Sequence, residues 1–168
     1  MKKLVSAVIF IGFACFVAFA QGGFKNLDDQ VLEQNRGKVV VLAVSATWLP
    51  LSKQQALLLN RLAKKYASRK DIALYFVTVD SIDPKSKNFA SDEQIKEFST
   101  ENKISVPILR DTDASTVKRM KVSQLPSFVL IKKDGQITET LSGLSEDNSA
   151  LEVFFNQLVQ KIDLMLTN

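Results

Sequence analysis

Histidine is absent from all 168 residues, and cysteine occurs once, at Cys15. The first absence removes the usual general base at neutral pH and the commonest metal ligand. The second leaves no cysteine beyond residue 20. Zinc, haem-thiolate and iron–sulfur sites are therefore excluded there, and no cofactor is expected. Exported proteins usually carry cysteines as disulfides, so an exported chain of this kind must stand on its core alone. Glycine and proline are also scarce, at six and four. With 46% apolar and 24% charged residues, this is the composition of one globular domain, not of a disordered chain or a repeat array. Charge of one sign is not concentrated. The net charge is +4, but Met1–Ala20 holds two lysines and no acid. The remainder carries 20 basic and 18 acidic residues, too even a balance for the basic face that nucleic acid requires.

The one long uncharged run is Leu4–Ala20. It follows the basic start Met1-Lys2-Lys3 and ends in Ala18-Phe19-Ala20, the small-x-small form favoured by signal peptidase. Residues 1–20 read as a secretory signal peptide cut before Gln21, and residues 21–168 as the folded domain. An uncleaved anchor is the alternative, although 17 residues lie at the bottom of the roughly 17–25 needed to span a bilayer. A third reading is a lipoprotein cut at Cys15. Against it, Gly12 stands where a large aliphatic is usual, and Phe16-Val17 would make a very apolar start. The expected location is extracytoplasmic, either periplasmic or anchored in the inner membrane. Membrane contact is expected only through this segment.

Beyond it, a short helix is expected around Leu27–Glu33, then a turn at Gly37-Lys38. Val39–Val44 is a continuous β-branched run suited to a central strand buried on both faces. Leu51–Lys70 switches to helical periodicity, with Leu58, Leu62 and Tyr66 at four-residue steps. Its cations Arg61, Lys64, Lys65, Arg69 and Lys70 read as a solvated face near a helix C-terminus, in preference to an anionic docking patch. Ile72–Val79 is a second strand, and Asp80–Ala90 a loop. Ser91-Asp92-Glu93-Gln94 is a capping box opening a helix with Ile95 and Phe98 inward. Val106–Leu109 is a short strand, followed by a small helix around Ser115–Met120. Ser127–Ile131 and Gln136–Leu141 flank Lys133-Asp134-Gly135, a hairpin signal. From Leu151 to Leu166 an apolar stripe at helical spacing marks a terminal helix that packs on a sheet. This order predicts a mixed α/β sheet covered on both faces, with no second domain.

Residues 37–53, reading Gly-Lys-Val-Val-Val-Leu-Ala-Val-Ser-Ala-Thr-Trp-Leu-Pro-Leu-Ser-Lys, resemble the active-site strand and turn of TlpA/ResA-type extracytoplasmic thioredoxins, which carry Trp-Cys-Pro-Pro-Cys-Lys there. Phe98–Leu109 is similar to the helix and strand that precede the family's Pro-Val-Leu-x-Asp segment. Val122–Gly135 is similar to its Val-x-Gly-Leu-Pro-Thr-Thr-Phe-Leu-Ile-Asp-x-Asp-Gly. The resemblance spans about residues 35–145 and implies a thioredoxin-like fold with Pro126 as the family's cis-proline.

It also shows what is missing. The two redox cysteine positions are Leu49 and Ser52. Leucine offers no nucleophile, and a serine hydroxyl forms no disulfide. A buried polar position six before the first cysteine is Ala43, and a glutamate found in some members is Gln55. A hydrolytic role for Ser52 would need a base; only Lys53 is near in sequence. A peroxiredoxin role fails for want of the peroxidatic cysteine. The resemblance therefore implies a non-catalytic protein holding an extended peptide, or a protein partner of the cell envelope, against the loop Gln124-Leu125-Pro126. Trp48, Leu49, Pro50 and Leu51 complete the binding site. Trp48 is expected at the surface and Pro50 at the first helical position. The alternatives are thiol–disulfide oxidoreductase by family membership, and a structural subunit that leaves the groove unused.

Overall fold

A computed structural model describes residues 24–167. The signal, anchor and Cys15 readings all fall outside these residues. The chain runs β1 (Lys25–Asn26), α1 (Asp29–Glu33), β2 (Val39–Ser45), α2 (Ser52–Lys65), β3 (Ile72–Thr78), α3 (Asp92–Glu101), β4 (Ile108–Arg110), α4 (Ser115–Arg119), β5 (Ser127–Ile131), β6 (Ile137–Leu141) and α5 (Asn148–Thr167). The six strands form one sheet in the order β1-β4-β3-β2-β5-β6. β1, β4, β3 and β2 are mutually parallel, while β5 runs antiparallel to β2 and β6 antiparallel to β5.

The period-2 geometry of β2 explains the two layers. Val39, Val41 and Ala43 face one way, among Leu58, Leu59 and Leu62 of α2, Phe98 of α3, and Leu151, Phe154, Leu158, Ile162 and Leu166 of α5. Val40, Leu42 and Val44 face the other way, among Val31, Val117 and Met120 around α1 and α4. All seven β2 residues are buried, which is why the run reads as uninterrupted apolar sequence. Full burial of one such side chain is worth about 1.5–3 kcal/mol as an upper bound. The five buried on α5 therefore outweigh the few tenths per residue that separate good helix formers.

The capping box forms as expected: Gln94 N donates to Ser91 Oγ at 3.3 Å, and Ser91 N donates to Gln94 Oε1 at 2.8 Å. The hairpin turns at Gly135, whose φ of 87° suits glycine. Other boundaries differ. α2 stops at Lys65 rather than Lys70, because Tyr66 leaves helical geometry. Its ring is buried and its hydroxyl donates to Asp163 of α5 at 2.8 Å. The phenol pKa is raised by this burial and by Asp163. β4 is Ile108–Arg110, two residues later than expected at its start and one at its end. Pro107 has no N–H to give; only its carbonyl joins the ladder, accepting Phe76 N. Arg110 extends the strand although charged, because its buried guanidinium donates to the carbonyls of Asp80, Ser81 and Ala90 and pairs with Asp92. β1 was not expected: it is polar, exposed and held by backbone pairing to β4.

Three of the five cations expected on this face are paired. Arg61 pairs with Glu152 at 2.5 Å, lies over the Phe155 ring, and holds the Glu152 carboxyl below its ordinary range. Lys65 lies 3.9 Å from Asp163, and Arg69 pairs with Asp71. These contacts tie α2 to α5, and the turn after α2 to the start of β3, as a solvated face does.

Candidate functional site

β2 ends at Ser45, and the chain must then turn into α2. Leu49 N donates to the Ala46 carbonyl at 3.2 Å and Ser52 N to the Leu49 carbonyl at 3.1 Å. This tight turn precedes the helix. Ser52 is the first helical residue and Leu51 its cap, so Pro50 lies just outside the helix rather than at its first position. Pro50 still fits there, since a turn residue need not donate an N–H.

The inside of the turn is polar. Ser52 is fully buried; its hydroxyl donates to the Ala46 carbonyl at 2.7 Å and lies 2.5 Å from Ser45 Oγ. It is therefore closed to substrates, and a hydrolytic role for it is ruled out. Gln55, also fully buried, donates to the carbonyls of Ser127 at 2.7 Å and Val44 at 3.3 Å. It thus bridges the facing ends of β2 and β5. Asp80, buried at the end of β3, accepts from Thr47 N at 2.9 Å and from the Thr78 hydroxyl at 2.5 Å. Among the described residues, Oδ1 of Asp80 and Oε1 of Gln55 have no partner.

The outside of the turn is apolar. Trp48 is 55% exposed, Pro50 is exposed, and Leu49 and Leu51 are half-buried. Beside them passes the segment before β5, where the Leu125–Pro126 bond is cis. Leu49, Pro50, Leu51, Leu125 and Pro126 line one open pocket of about 490 Å³, together with Ser145 and Glu146 from the β6–α5 connection. Five of the seven expected binding residues are thus brought together. Trp48 and Gln124 lie in the flanking segments but do not line the pocket. Ser145 and Glu146 escaped sequence reasoning, because their loop has no periodicity and its position depends on where β6 and α5 pack.

The backbone of Leu125 makes no hydrogen bond among the described residues, while the Gln124 carbonyl accepts from Ser127 Oγ. A second cavity, of about 640 Å³, lies between the hairpin and α5. Two of its lysines are already engaged, Lys133 with the Leu166 carbonyl and Lys161 with Glu139. Among the described residues, no group of three or more acidic, histidine or cysteine side chains could hold a metal ion. None of the described helices is long and apolar enough to cross a membrane.

The mixed sheet, the helix packed after β2 and the proline loop facing its N-terminus define a thioredoxin-like α/β protein. The chain belongs to the AhpC/TSA family, which it matches over residues 20–140. It is similar to the thiol-disulfide oxidoreductase ResA of Bacillus thuringiensis subsp. konkukian, 25% identical over 127 residues, 76% of this chain and 67% of that one. Two solved structures share the fold. One is a candidate protein disulfide isomerase from Bacteroides thetaiotaomicron, with TM-score 0.65 and 23% identity over 82% of this chain and 79% of that one. The other is a candidate thiol:disulfide interchange protein DsbE from Chlorobium tepidum, with TM-score 0.62 and 20% identity over 78% and 84%.

Proposed function

We propose that this is a non-catalytic binding protein of the cell envelope, a pseudo-enzyme that holds an extended peptide or an unfolded stretch of a protein partner. The observation that carries the reading is the apolar pocket between Leu49–Leu51 and Leu125–Pro126, beside a Leu125 backbone with no partner among the described residues. An extended peptide laid along that segment can pair with its amide and carbonyl as an added strand, while one apolar side chain fills the pocket. Neither step needs a thiol. Thiol–disulfide chemistry does, and the two turn positions hold Leu49 and a buried Ser52. Export of the domain is supported by the basic start, the apolar run and the Ala18-Phe19-Ala20 ending.

The names of the relatives favour a second reading, thiol–disulfide oxidoreductase. The test separates the two. Protein lacking residues 1–20 should reduce a disulfide substrate no faster than a blank, while retaining peptides from a random extended library. Reduction above the blank would establish the second reading, and failure to retain any peptide would remove the first.

A further inference from the structure

The pocket is not uniformly apolar. Its rim carries one charged side chain, Glu146, and its neighbours are already committed. Ser145 Oγ accepts Asp147 N at 3.1 Å. Asp147 caps α5, its Oδ1 accepting Ala150 N at 2.8 Å and its carbonyl accepting Leu151 N at 2.9 Å. Glu146 is exposed and makes no ion pair or hydrogen bond among the described residues. Lys53, exposed on the first turn of α2, does not line the pocket. A ligand seated against Leu49 and Leu125 therefore meets a neutral apolar floor and a single uncompensated negative charge.

We infer that Glu146 sets the ligand class: an extended peptide segment whose apolar anchor is flanked, two residues away, by lysine or arginine. This rests on the peptide-binding reading above. Side chains two apart on an extended chain share a face and are spaced by roughly 6.6 Å. A leucine in the pocket thus places a long cationic side chain on the same face, toward the rim. An exposed pair of this kind contributes a few-fold in affinity, about threefold, and fades with salt.

The experiment uses three capped heptapeptides, Ser-Lys-Ser-Leu-Ser-Lys-Ser and its twins with both lysines replaced by glutamine or by glutamate. Each is titrated into the isotope-labelled protein and followed by backbone amide NMR. The lysine peptide should bind about threefold more tightly than the glutamine twin at low salt, and the glutamate twin most weakly. In Glu146→Gln the lysine-to-glutamine ratio should fall to one, and in Glu146→Lys the order should invert. Equal binding of all three peptides, with shifts at Leu49 and Leu125, would overturn the role of Glu146 and leave the groove standing. So would a loss of stability in Glu146→Gln with the peptide ratio unchanged, since Glu146 would then serve only the N-terminus of α5. No saturable shift with any peptide would overturn the groove reading and this inference with it.

Discussion

Beneath the β2–α2 turn lie Ser45, Ser52, Gln55 and Asp80, none of them exposed; above it stand Trp48, Leu49 and Pro50, open to solvent in whole or in part. The ordinary arrangement of a soluble protein is reversed over these few residues. The two sides answer to different physics. The inner polar groups bond to backbone at the strand ends and in the turn: the carbonyls of Val44, Ala46 and Ser127, and the amide of Thr47. They hold the turn in shape. The outer apolar groups satisfy nothing inside the fold, and apolar surface in a concave place gains by meeting a ligand. Stability should thus reside on the inner side and binding on the outer.

The widest gap between the sides appears when chemistry is restored. In Leu49→Cys with Ser52→Cys, the 3.1 Å bond from Ser52 N to the Leu49 carbonyl closes a four-residue turn. Its ends lie within the roughly 7 Å that defines such a turn, overlapping the 4.4–6.8 Å or so that a disulfide spans. Oxidation should remove both thiols in a free-thiol titration. Two persistent thiols would mean that the turn lacks this geometry. Disulfide reduction by the double variant should stay slow, because the Gln55 amide is neither an acid nor a base at neutral pH. Adding Gln55→Glu should speed it, by up to about 10²–10⁴.

Next in size is Gln55→Ala. It removes the bonds to the carbonyls of Val44 and Ser127 and leaves a cavity in the fully buried site, at a cost of about 3 kcal/mol in denaturant unfolding. Wild-type stability in that variant would show that the inner polar side is not what holds the turn. The smallest expected effect is on the outer side. Leu49→Asp should cost no more than about 1 kcal/mol, because the side chain is only half-buried and a charge there stays in water. A loss as large as that of Gln55→Ala would place Leu49 in the core and erase the contrast.

The two sides were also unequally legible. Val39–Val44 announces itself as an unbroken apolar run, since both of its faces are buried, and the stripe on α5 through periodicity, since burial on one helix face repeats along the chain. Leu49, Pro50 and Leu125 were readable only by likeness to a redox turn whose cysteines are absent here. The inner contacts were not readable, because they join residues far apart: Gln55 reaches Ser127 across 72 positions and Thr47 meets Asp80 across 33. A buried glutamine and a surface one look alike in sequence. Arg110 misled for the same reason, its charge being absorbed by carbonyls of a loop some 20–30 residues upstream.

The most direct test of the binding surface is a titration of the neutral glutamine twin peptide into wild-type protein and Leu49→Asp, followed by backbone amide NMR. An apolar binding surface there predicts saturable shifts at Leu49, Leu51 and Leu125 in the wild type, and none in the folded variant. No saturable shift in the wild type, or equal shifts in both proteins, would contradict it.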